Sequence, residues 1–161
     1  MKILFLIITF LSFNDFLLAQ NFSLNELIRL NTYSLDNFDT QVTQRGYQYF
    51  DTENSSLATS TIYTYKVNGL KTYYISKFFY KKNNSEMISF QTPKNTTYLK
   101  IKSELKTLGF IYAGAHTFQG STFFNYKKGD IEVSLVSGTQ KSELGGPTQT
   151  VYEISVKKIA K

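Results

Sequence analysis

No cysteine occurs in the 161 residues. That absence excludes disulfides, thiolate metal sites and cysteine nucleophiles together. There is no tryptophan and a single histidine, His116. One imidazole cannot build a histidine metal cluster, and any Ser-His-Asp centre would have to use it. No G-x-S-x-G turn accompanies it. His116 falls near the end of a strand-like segment and reads as a structural or exposed side chain. Neither a metal nor a cofactor is expected. The segment "GTQKSELGGP" lacks the order and the strand-to-helix setting of a phosphate-binding loop. Prolines number only two.

Long apolar runs are also scarce, and the one present is N-terminal. In "MKILFLIITFLSFNDFLLAQ" Lys2 precedes an apolar stretch, Ile3 to Phe13, broken by Thr9 and Ser12. Ala19 supplies a small residue at a plausible cut. This is the layout of a secretory signal peptide. It is short for a membrane span, which needs ~20 apolar residues. No cysteine follows it to carry a lipid anchor. The expectation is removal of residues 1–20 and export to the periplasm or the medium.

What remains is about 140 residues, ample for one domain. It is rich in rings, with 14 Phe and 12 Tyr. The formal charge is +6. Inside a cell that would suggest nucleic acid; for an exported chain no nucleic acid is expected, and an acidic protein, an anionic lipid or an acidic glycan is the better match. Lysines in "YKK" (80–82 and 126–128) and "VKK" (156–158) stand at strand ends, where they guard edges.

The pattern reads as α+β. Ser23 followed by Glu26 forms a capping-box signature before "LNELIRL". Ser34 begins a second helix, with Leu35, Phe38 and Val42 on one stripe, and Gly46 suits its left-handed end. Strands are expected at 47–50, 60–67, 71–80 and 86–92, with "NG" at 68–69 as a hairpin turn. A helix over 95–109 carries Tyr98, Ile101, Leu105 and Leu108. Strands over 110–118, 121–128, 131–137 and 149–159 complete the chain, with a polar loop at 138–148.

Gly109 lies 63 positions after Gly46. At that offset Phe38 meets Ile101, Val42 meets Leu105, and Tyr49 meets Tyr112. After a two-residue gap Tyr63 meets Phe124 and Lys66 meets Lys127. The expected organisation is therefore two tandem units, 21–93 and 94–161, each of helix plus a four-stranded antiparallel sheet, with the helices on one face. The segments "RGYQYF" and "LGFIYA", with the paired "IYTYK" and "FFNYK", resemble the beta-lactamase inhibitor protein architecture in element order. That resemblance implies a continuous sheet with helices on one side and a free face on the other.

In "KTYYISKFFY" both strand faces carry rings. Tyr73, Ile75 and Phe79 point one way; Tyr74, Phe78 and Tyr80 point the other. Phe123 belongs to the second set. An open face of tyrosine and phenylalanine suits protein or glycan binding, because each ring offers area at little entropic cost. The expected function is a non-enzymatic binding protein for a protein or envelope component. Tyr74, Phe78, Tyr80 and Phe123 would form the surface, and Lys66 and Lys127 would steer an acidic partner. An anionic lipid or glycan binder is the alternative. A hydrolase using carboxylates alone, from Asp51 with Glu53 or Glu132 with Glu153, is the third reading.

Overall fold

The computed structural model describes residues 21–67, 71–118, 121–140 and 149–159. The expected leader, the "NG" turn and most of the 138–148 loop lie outside these residues. Helix α1 spans Leu24–Asn31. The Ser23 hydroxyl accepts from the Glu26 N–H, and the Glu26 side chain accepts from the Ser23 N–H, so the capping box is complete. Helix α2 spans Leu35–Thr43 and is capped by Ser34, whose hydroxyl accepts from the Asn37 N–H. Helix α3 spans Asn95–Thr107.

Helices α2 and α3 stop in the same way. Gly46 (φ +85°) and Gly109 (φ +77°) take left-handed backbone, which costs glycine least. The Tyr47 N–H then donates to the Val42 carbonyl at 3.1 Å, and the Phe110 N–H donates to Leu105 at 2.9 Å.

The strands are β1 (Gln48–Asn54), β2 (Ala58–Val67), β3 (Lys71–Tyr80), β4 (Ser85–Thr92), β5 (Ile111–Phe118), β6 (Ser121–Lys128), β7 (Ile131–Gln140) and β8 (Gln149–Lys158). They form one antiparallel sheet in the order β1-β2-β3-β4-β8-β7-β6-β5. This corrects the expectation of two tandem helix-plus-four-strand units. The last strand, β8, pairs with β4, so the ladder runs unbroken through the middle. Separate sheets would each have left an extra edge of unpaired backbone groups, and pairing β4 with β8 satisfies both.

Helices are not shared evenly either: α1 lies over β4 and β8 at the centre, close to α3. One apolar core results. Leu24, Leu27, Leu30, Phe38, Val42, Ile101 and Leu105 come from the helices. Tyr63, Tyr73, Ile75, Ile88, Phe90, Val133, Leu135, Ile154 and Val156 come from one face of the sheet. Strict alternation in the strands sends their other residues to the opposite face.

Two further corrections concern register. Strand β7 continues through Gly138, Thr139 and Gln140, which pair with Val151, Thr150 and Gln149. The polar loop is therefore shorter than the composition suggests. The two-residue gap in the overlay is also absent. Tyr49 pairs with Tyr63, and Tyr112 pairs with Tyr126, both partners standing 63 positions apart. Each edge strand carries a register shift at the same place, between Tyr49 and Asp51 and between Tyr112 and Gly114. A two-residue slip keeps every side chain on its own face, so alternation alone could not detect it.

Candidate binding face

The face opposite the helices is set by β-sheet parity. On its first half stand Ile62, Tyr74, Phe78, Tyr80 and Met87, all half-buried. Phe50 alternates with Tyr49 and so falls on the same side, where its ring meets Tyr74 edge-on at 6.3 Å. Phe78 and Tyr80 lie near-parallel with centroids 6.3 Å apart. The Tyr80 hydroxyl reaches Met87 Sδ at 3.7 Å. Lys157 Nζ sits 5.2 Å from the Tyr80 ring centroid, within cation–π range. Burial, and then the charge of Glu153, raise the Tyr80 phenol above its ordinary pKa. Between the rings, Ser60, Thr64, Ser76 and Ser89 are buried.

A polar band crosses the centre. The Glu153 carboxylate accepts from the Ser89 hydroxyl (2.7 Å), the Ser155 hydroxyl (3.1 Å) and the Gln91 amide (3.3 Å). Next to it the Ser134 hydroxyl donates to the Asn125 side-chain oxygen at 2.7 Å. The Asn125 amide nitrogen meets His116 Nδ1 at 3.0 Å. Beyond the band lies a second, smaller aromatic group, where His116 stacks on Phe123 at 4.9 Å.

The expected site residues thus fall into separate places. Tyr74, Phe78 and Tyr80 come together. Phe123 shares their face but stands across the polar band, beside His116. Lys127 forms an ion pair with Glu132 at 3.1 Å. It therefore has an acidic neighbour on the next strand while its side chain stays half-exposed. Lys66 is exposed opposite Thr72, toward one end of β2. Parity could have added Met87 and Lys157. It could have added Phe50 too, which alternates with Tyr49; the bulge breaks the alternation only after it, at Asp51, opposite Ile62.

The paired carboxylates are not arranged for glycoside hydrolysis. Glu153 stands opposite Val136, while Glu132 stands opposite Lys157, four residues further along β8. At about 3.3 Å per residue that is roughly 13 Å of strand, beyond the ~5–10 Å used by carboxylate pairs. Asp51 and Glu53 lie exposed on the edge strand β1. Among the described residues no group of His, Asp or Glu could hold a metal ion. Among them, too, no helix is long and apolar enough to cross a membrane. No family model, curated protein or solved structure matches the chain.

Proposed function

We propose that this is an exported, non-enzymatic binding protein that takes a protein or other envelope component on the sheet face opposite its described helices. The observation that carries the reading is the gathering of Phe50, Tyr74, Phe78, Tyr80 and Met87 on one side of β1–β4. Rings of this kind supply most of the energy at protein interfaces, and the hydrogen-bonded band beside them supplies orientation. Lys157 adds a cation beside the anchors.

Export rests on the layout of residues 1–20, with Lys2, the apolar stretch Ile3 to Phe13 and the small Ala19. Asn21 accepts from Thr97 through its side chain (2.7 Å) and from Arg45 through its carbonyl (3.2 Å). Phe22 is buried against Tyr47 and Phe90. Removal of residues 1–20 would leave these contacts of Asn21 and Phe22 in place. The matched bulges and helix stops support a repeated origin for the two outer hairpins.

The second reading, a glycan binder, draws on the polar band, since sugars stack on rings while their hydroxyls pair with groups such as Gln91 and Glu153. A photocrosslinker placed at Tyr74 tests the first reading. It should capture a protein from the envelope that the same group at Leu99, exposed on α3, does not. Capture only from Leu99 would overturn it. A glycan on Tyr74 in place of a protein would move the assignment to the second reading.

A further inference from the structure

We propose that β5 is a self-association edge, at which two copies of this chain pair their β5 strands antiparallel about a two-fold axis at His116. The two ends of the sheet differ in kind. Strand β1 carries Asp51 and Glu53, charges that oppose pairing with another strand. Strand β5, "IYAGAHTF", carries no Lys, Arg, Asp or Glu. It is nonetheless the more apolar edge, with Ile111 75% exposed, Tyr112 54% and Phe118 60%.

Charge favours a second copy meeting here. A chain of net +6 repels itself except where the contact is free of like charge. The lysines nearest to β5 belong to β6 and are engaged within the molecule. Lys127 pairs with Glu132, and Lys128 donates to the Leu108 carbonyl at 2.7 Å.

The bulge at Ala113 leaves Gly114–Phe118 as the regular part of the strand. Centring the pairing on His116 sets Phe118 of one copy opposite Gly114 of the other. A ring facing glycine covers backbone that would otherwise stay wet. Ala115 then faces Thr117, and His116 meets its counterpart at the axis. Each His116 ring is already supported by Phe123. The two sheets become one, and the two binding faces lie side by side. One strand pair gives an interface at or below ~1,200 Å², the range of reversible complexes.

Sedimentation equilibrium on the mature chain tests this. A monomer–dimer equilibrium is expected, with a dissociation constant on the order of 10–100 μM. Ala115→Lys should weaken it about tenfold or more, since the two added charges then stand on diagonal neighbours across the pair, within reach of one another. Thr52→Lys, at the matching position of β1, should leave it unchanged. A chain that stays monomeric up to about 1 mM overturns the proposal. So does a dimer indifferent to Ala115→Lys, or an open-ended polymer sensitive to Thr52→Lys. If Ala115→Lys fails to fold, the absence of native cysteine offers a second route. His116→Cys should form a disulfide-linked dimer on mild oxidation much faster than Thr52→Cys, and equal rates would overturn the proposal. These outcomes are independent of whether the ring-bearing face binds anything.

Discussion

Ser89 of β4 and Ser155 of β8 stand directly opposite one another at the middle of the sheet, and both hydroxyls donate to the carboxylate of Glu153. The seam between the two halves is therefore closed twice, once by backbone pairing and once by a shared acceptor. Glu153→Leu would leave the buried Ser89 hydroxyl without its partner. Its cost should be about 1–3 kcal/mol, read as a lower urea midpoint with an unchanged slope. Glu153→Gln keeps an acceptor oxygen and should lose less.

The two helix stops give a paired comparison. A Cβ on Gly46 would meet Tyr65 Cε2 at 3.0 Å, whereas one on Gly109 would meet nothing within 4 Å. Both positions have positive φ, so alanine at either pays the left-handed strain of roughly 1–2 kcal/mol. Gly46→Ala should cost more than Gly109→Ala, because the Tyr65 ring must also move. Thermal melts of the two variants check the order.

Lys77 is a buried cation on the core face, where it pairs with Glu86 at 2.6 Å and donates to the Asn31 carbonyl at 3.4 Å. Removing the carboxylate alone strands the charge. Glu86→Ala should destabilise strongly, by roughly 3–5 kcal/mol, an upper range because Glu86 itself is partly exposed. Lys77→Met should cost much less. Equal losses in denaturant titrations would show that the pair does not act as described.

Stability should fall at both ends of the pH scale. Burial pushes the Glu26 carboxyl up, but the Ser23 N–H, the Arg45 side chain and the Ser23 hydroxyl outweigh it and hold the pKa below its ordinary value. A lowered pKa stabilises the fold above the unfolded value of about 4.3 and is lost as pH falls through the folded one. Burial, foremost, raises both the Tyr47 and Tyr63 phenols; at Tyr63 a hydrogen bond to Asp39 adds to it. Their contribution is present below about pH 10 and disappears as pH rises through the raised values. Arg45→Ala should flatten the acid limb of the melting profile, and Tyr47→Phe the alkaline limb.

Much of the local structure was legible because its causes are local. Ser23 with Glu26, Ser34, Gly46 and Gly109 act within a few residues of themselves, and alternation sorted Tyr74 from Tyr73. The joining of β4 to β8 was not legible, because no short-range pattern says which strands meet across 60 residues of chain. Alternation from Tyr49 could have placed Phe50 on the ring-bearing face, whereas the engagement of Lys127 was not legible because Glu132 reaches it from the next strand.

The central claim is that the ring-bearing face, opposite the described helices, holds the partner. The most direct measurement compares crosslinked capture from the native cell envelope by three proteins of matched melting temperature. These are the mature chain, Tyr74→Ala with Phe78→Ala, and a helix-side control, Leu99→Ala. The account predicts a partner held by the mature chain and by the control and lost from the double variant. A partner retained by the double variant would contradict it.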